Sequence, residues 1–245
     1  MGRYVRVRWR ASLGLIGAVL LYLTVPLLVP LGVALYYGES LLPFVVTIAV
    51  TLGLGAALRF ASDIEQNLGP REAFLAVATI WFLVATVGAI PFLVAGTGTI
   101  AHPVNAMFEA MSGLTTTGAT VLAEFGIHDR SILMWRQMLQ WLGGLGILVL
   151  AVGLLSQLSV GGAQLMETES QTQDLTKLTP RVAETARILG GLYAALTALL
   201  AVLLAALGVT GLAPNMDVYN AVAHAMTTVA TAGFSPQPES VGAFA

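Results

Sequence analysis

Two polar runs interrupt a chain that is otherwise strongly apolar: NAMFEAMSGLTTTGAT at 105–120 and NAVAHAMTTVATAGFS at 220–235. At the centre of each lie small residues, Thr116, Thr117, Gly118 and Ala119 in the first and Thr231, Ala232, Gly233 and, beside them, Phe234 in the second. A Thr-Thr-Thr-Gly-Ala backbone can turn its carbonyl oxygens inward and replace the water around an ion, with the glycine permitting a conformation that a side chain would resist. Such a loop is a cation filter, whose metal ligands are mainly backbone carbonyls. The plainer reading is that small residues ease helix packing in a membrane. Repetition weighs against it: setting Asn105 on Asn220, an offset of 115, matches Asn105-Ala106 with Asn220-Ala221, Ala110-Met111 with Ala225-Met226, Thr116 with Thr231 and Gly118 with Gly233.

Other reactive side chains offer less. Glu109 and His224 occupy matched places in the two runs, and different chemistry at matched sites argues against a shared ion ligand. A structural hydrogen bond to a neighbouring loop is the expectation for Glu109, although an ionisable group inside a membrane always invites a functional reading. His102, His128 and His224 show no metal-ligand spacing among themselves. Ser112 and His224 suggest a hydrolase only weakly, since no GxSxG elbow or orienting acid accompanies them. The chain is therefore not expected to be an enzyme or to carry a cofactor. Arg136, in MWRQMLQW, is expected to pair with Glu124 or Asp129; snorkelling and repulsion of cations at the entrance are the alternatives. Gly143, Gly144 and Gly146 of WLGGLG allow close helix approach, with a hinge as the sharper alternative.

Elements that could hold such loops follow from composition. Of 245 residues, 57% are hydrophobic and 10% charged, with a mean hydropathy of +0.83, which marks an integral membrane protein. A net charge of −2, with no basic face interleaved with aromatics, excludes a nucleic-acid partner. The absence of cysteine excludes disulfides and thiolate sites. A crossing takes roughly 20 apolar residues, and five segments qualify, near 12–37, 41–61, 73–96, 132–156 and 185–208. The first follows MGRYVRVRWR and reads as a retained helix rather than a signal peptide, because it is long and no small-residue cleavage site stands out. With the N-terminus inside, Arg3, Arg6, Arg8, Arg10, Arg59, Arg71, Lys177, Arg181 and Arg187 lie on or near the cytoplasmic side, and only Arg130 and Arg136 fall outward. Connections 37–41, 97–131 and 209–217 then face outward. From Asn105, as N-cap, to about Leu114 the pattern suits a helix of roughly 15 Å, half a bilayer core, which can re-enter but not cross. The C-terminal end of such a half-helix favours cations. Each polar run also follows an apolar span introduced by Pro-Arg, at Pro70-Arg71 and Pro180-Arg181, so the unit of span, short helix and loop is used twice.

FEAMSGLTTTGAT, WRQMLQWLGGLGILVLAVGLL at 135–155 and HAMTTVATAGFS together resemble the TrkH-type subunits of the Trk/Ktr/HKT potassium transporter superfamily, across essentially the whole chain. The resemblance implies an all-α polytopic membrane protein of helix, re-entrant pore helix, filter loop, helix units around one pore, with the filter glycines matched by Gly118 and Gly233. The chain ends at VGAFA after the second loop, so it is expected to be an N-terminal portion with two of an expected four filters. One copy alone is then not expected to close a conduction path, and the gating loop of the family's third unit has no counterpart. The expected organisation is an extra helix pair at 1–68, a first pore-loop unit at 69–160, a cytoplasmic connection at 161–183 and an incomplete second unit at 184–245. The resemblance implies potassium uptake, with K+ as the transported ion, across a bacterial inner membrane with the N-terminus cytoplasmic. It further implies a homodimer in the full-length protein and a cytosolic TrkA-type nucleotide-binding regulatory partner, for which the polar segment 156–179 is a possible contact. The alternative is a secondary transporter holding a small solute between broken half-helices; it is disfavoured because both loops follow outward-going spans and so run parallel, whereas such transporters often use inverted repeats.

Overall fold

The computed structural model describes residues 9–62, 70–166 and 178–244. Arg3, Arg6, Arg8, Lys177 and the acidic Glu167, Glu169 and Asp174 lie outside the described residues, as do the side chains of Arg71 and Arg181. The described elements are helical throughout: α1 (Trp9–Tyr37), α2 (Leu42–Phe60), α3 (Pro70–Gly88), α4 (Ile90–Ala95), α5 (Pro103–Leu114), α6 (Arg130–Met166), α7 (Leu178–Val209) and α8 (Val218–Val229), with short 3-10 turns at Gly98–Ala101 and Ser240–Phe244. Among the described residues, four stretches are long and apolar enough to cross a membrane, at Ser12–Tyr37, Leu42–Phe60, Glu72–Ala95 and Glu184–Val209. The remaining expected span, 132–156, lies within α6, a helix of 37 residues.

The third span is one membrane length but two helices. Pro91, near the start of α4, has no N–H to give to the Val87 carbonyl, and the helix breaks at Ala89. A partner from elsewhere serves the break: the Trp135 indole donates to the Gly88 carbonyl at 2.8 Å, which also satisfies a buried N–H.

The half-helices α5 and α8 have 12 residues each, about 18 Å at the helical rise. The start of α5 corrects the sequence reading. Asn105 does not cap α5; the helix begins two residues earlier at Pro103, because a first-turn proline is pre-set for helix and sacrifices no bond. Asn105 instead donates to the Thr99 carbonyl at 2.9 Å. Asn220 likewise sits inside α8, where the Asp217 carboxylate accepts its backbone N–H at 2.7 Å and caps the helix.

Helix α6 is the axis of the molecule and packs against α1, α4, α5, α7 and α8. Every residue from Ser131 to Gln140 is buried, so the polar side chains there face protein. The start of α6 is capped from a distance: the Glu39 carboxylate, in the α1–α2 connection, accepts the N–H groups of Arg130 at 2.8 Å and Ser131 at 2.9 Å. Arg130 stacks between Tyr37 and Tyr219, 4.5 and 5.4 Å from their ring centroids, and pairs with Asp217 at 3.5 Å. These contacts bring the connections 38–41, 96–129 and 210–217 to one end of the molecule.

Candidate functional site

Both half-helices start at that end, run into the molecule side by side with α6, and finish in the same way. At the end of α5, Thr116 N–H donates to Gly113 O at 3.0 Å and Thr117 N–H to Ser112 O at 3.0 Å; at the end of α8, Thr231 N–H donates to Thr228 O and Ala232 N–H to Thr227 O, each at 3.0 Å. This is the Schellman closure of a helix C-terminus, repeated at the 115-residue offset. Its left-handed position is usually glycine. Here it is threonine, Thr116 at φ 56° and Thr231 at φ 53°, an outlier for a β-branched residue.

The glycines behave unequally. Gly118 has φ 76°, as expected of it, whereas Gly233 lies outside the positive-φ region. The loops meet here: a Cβ on Gly118 would fall 2.8 Å from the Cα and N of Gly233, while one on Gly233 would lie 3.6 Å from the Gly118 Cα. Thr117, Ala119, Thr231 and Gly233 are exposed, Thr116, Gly118 and Ala232 half-buried, and Phe234 buried. The structure thus brings all eight sequence-selected residues into one pair of adjoining loops. The Ala119 carbonyl accepts the Ser112 hydroxyl at 2.6 Å, which ties that end of the first loop back to its own half-helix.

Behind the loops lies a buried polar network. Glu109, on α5, accepts Val121 N–H at 3.0 Å and the Thr120 hydroxyl at 2.8 Å, the loop contact expected of it. Its other partner corrects the sequence reading: Arg136 pairs with Glu109 at 2.7 Å, in place of Glu124 or Asp129. Packing of α5 on α6 puts Glu109 directly opposite, and a carboxylate that is wholly buried needs a cation more than an exposed one does. His224, matched to Glu109 by the repeat, holds the second loop differently. Its Nδ1 lies 2.8 Å from Asn220 O and its Nε2 3.1 Å from Ser235 Oγ, a pattern that fits a neutral ring donating through Nδ1 and accepting the serine hydroxyl at Nε2.

Two further residues were passed over in the sequence. Gln140 Oε1 accepts Phe234 N–H at 3.2 Å, and Gln137 Oε1 accepts the Thr227 hydroxyl. Arg136 and Gln140, at i and i+4 on one face of α6, hold the second loop at Ser235 and Phe234, while Gln137 holds Thr227 of α8. The available signal was three polar side chains inside an apolar span. Below them, the expected close approach by glycine holds at two of the three positions. A Cβ on Gly143 would fall 1.8 Å from Leu114 O and one on Gly144 3.1 Å from Ala230 Cα, against 3.7 Å from Trp81 for Gly146. Adjacent glycines of α6 therefore admit the ends of both half-helices.

At the end where the half-helices start, His128 lies 3.1 Å from Thr97 Oγ1 through Nδ1; burial, and then the Arg136 charge, push its pKa below the ordinary histidine value. Among the described residues no group of three or more histidine, aspartate or glutamate side chains is arranged to hold a metal ion.

The chain is similar to known proteins over nearly its whole length. The family profile TrkH, described as a cation transport protein, matches residues 42–245. The Trk system potassium uptake protein TrkH of Halomonas elongata is 37% identical over 239 residues, covering 96% of this chain and 48% of that protein. The protein of the same name from Vibrio parahaemolyticus is 39% identical over 242 residues, covering 97% and 48%. The crystal structure of the potassium transporter TrkH from Vibrio parahaemolyticus superposes with a TM-score of 0.76 at 35% identity, covering 94% of this chain and 45% of that one. The chain thus spans about half the length of the curated relatives it matches.

Proposed function

We propose, since the chain belongs to the TrkH family of cation transport proteins, that it supplies two loops of a potassium filter in a bacterial inner-membrane uptake protein. The observation that carries this reading is the convergence of two half-helix C-termini with identical closures, whose loops adjoin at Gly118 and Gly233. Each half-helix end presents the negative pole of its dipole, and irregular backbone so deep among spanning helices is tolerated where it lines water or is buried in protein. The ion ligands are mainly backbone carbonyls of Thr116, Thr117, Gly118 and Ala119 and of Thr231, Ala232, Gly233 and Phe234, which stand in for the hydration of K+. The carbonyl of Ala119 shares its lone pairs with the Ser112 hydroxyl, which weights the first loop's ligand set toward Thr116–Gly118.

The family reading extends to the whole protein: further loops complete the ring, two copies form a dimer, and a cytosolic TrkA-type nucleotide-binding subunit regulates the pore. Parallel half-helices entering from one end favour a filter over a rocking transporter built from inverted repeats. The test is K+ uptake by the intact protein in cells lacking their own potassium uptake systems. Gly118→Ser is expected to weaken K+ over Na+ discrimination; discrimination unchanged at normal protein levels would count against the filter assignment.

A further inference from the structure

Arg136 touches both loops at once. Its Nε donates to Glu109 Oε1 at 2.8 Å and its Nη2 to Thr120 Oγ1 at 3.1 Å, at the exit of the first loop. Its Nη1 donates to Ser235 O at 3.1 Å, at the exit of the second. The guanidinium also lies 4.1 Å from the centroid of the Phe234 ring. The Arg136 and Glu109 side chains are 1% and 0% exposed. Burying such a pair is at best break-even against a well-packed apolar pair of similar volume, so stability does not account for it. A planar fork that fixes several directions at once does what an apolar side chain or a lysine cannot.

Resting on the cation-filter reading, we propose that Arg136 is a positioning residue that sets the spacing of the two filter loops from behind, and that Glu109 cancels its charge so that the mouth stays attractive to cations. The two roles separate chemically. Glu109→Gln keeps the shape and most hydrogen bonds but leaves a buried, unpaired cation beside the ion path, where water screens little. Glu109→Gln combined with Arg136→Gln restores neutrality but loses the fork. Arg136→Lys keeps the charge opposite Glu109 and loses the reach to Ser235.

The experiment is K+ and Na+ uptake by the intact protein in potassium-uptake-deficient cells, with membrane protein quantified in parallel. E109Q is expected to raise the KM for K+ by about tenfold, as an unscreened charge near the path would, with a smaller change in maximal rate per molecule. The double variant is expected to recover most of that KM but to lose K+ over Na+ preference, and R136K to lose preference with little change in KM. A purely structural role would lower the amount of protein and leave KM and preference per molecule unchanged. Wild-type KM and preference in an E109Q protein present at normal levels would overturn the inference. Should E109Q fail to reach the membrane, R136K decides, and unchanged preference there overturns it. A wild-type protein that moves no cation overturns the filter reading itself, whereas normal wild-type K+ uptake beside unaltered variants overturns the role of Arg136 and Glu109 alone.

Discussion

Gly118 and Gly233 hold the same place in the repeat and carry different burdens. At Gly118 a side chain meets both a left-handed φ of 76° and the backbone of the facing loop at 2.8 Å, so Gly118→Ala should cost about 1–3 kcal/mol or more. At Gly233 the nearest atom would stand 3.6 Å away, an ordinary contact, so Gly233→Ala should leave the melting temperature of the purified protein close to wild type. Equal destabilisation by the two would contradict the geometry. His128 makes a second prediction at this scale. Burial first and Arg136 second lower its pKa, against opposing effects of Glu109 and Asp129, so the folded protein holds the ring neutral to lower pH than the unfolded chain does. Its contribution to stability is therefore complete above the ordinary histidine pKa of about 6.5 and is lost as pH falls through the lower folded value. Melting temperatures taken from pH 7.5 down to 5 should fall more steeply for the wild type than for His128→Asn, and parallel curves would rule out His128 as the source.

Helix α6 organises the site at the scale of elements, because Arg136 and Gln140 hold the second loop, Gln137 holds α8, and its glycines admit both half-helices. Gly143→Ala places a Cβ 1.8 Å from Leu114 O, a backbone atom that cannot turn aside, and overpacking of this kind costs about 1–3 kcal/mol or more. Gly146→Ala, with Trp81 at 3.7 Å, should be neutral or slightly stabilising through helix propensity; thermal unfolding in detergent distinguishes the two, and similar losses for both would refute the crossing argument. The half-helices and their repetition were legible in the sequence because they rest on local signals, namely segment length, the Thr/Gly runs and the matched pairs at one offset. What escaped depends on tertiary contact. Proximity in sequence pointed Arg136 to Glu124 and Asp129, yet helix packing delivers Glu109, 27 residues away. The left-handed conformation foreseen at Gly118 is present, but two more at Thr116 and Thr231 run against the propensity of β-branched residues and are held by the surrounding hydrogen bonds. No local pattern announces that Glu39 caps a helix beginning 91 residues later.

For the whole molecule, the question is which end faces out. The described contacts settle which connections share an end: Glu39 with Arg130 and Ser131, Thr97 with His128, and Arg130 with Asp217 join 38–41, 96–129 and 210–217. At the opposite end the start of α1 lies beside the end of α2, where a Cβ on Gly14 would meet Ser62 Oγ at 3.1 Å, and the exposed Arg10 and Arg59 stand there together. Basic residues flanking spans favour the cytoplasm, so the Arg10 and Arg59 end is expected inside and the half-helices to enter from outside, with their negative C-terminal poles directed along the path of an incoming cation. The chain has no cysteine of its own, which makes single introductions clean. Ile127, 48% exposed in the 96–129 connection, and Ala61, exposed at the end of α2, sit at opposite ends and outside the buried network. A membrane-impermeant maleimide added to intact cells should label Ile127→Cys at once and Ala61→Cys only after the membrane is permeabilised. The reverse pattern would invert the orientation, point the half-helix poles at ions leaving the cell, and remove the electrostatic argument for uptake; labelling of both from outside would break the span count between α2 and α6.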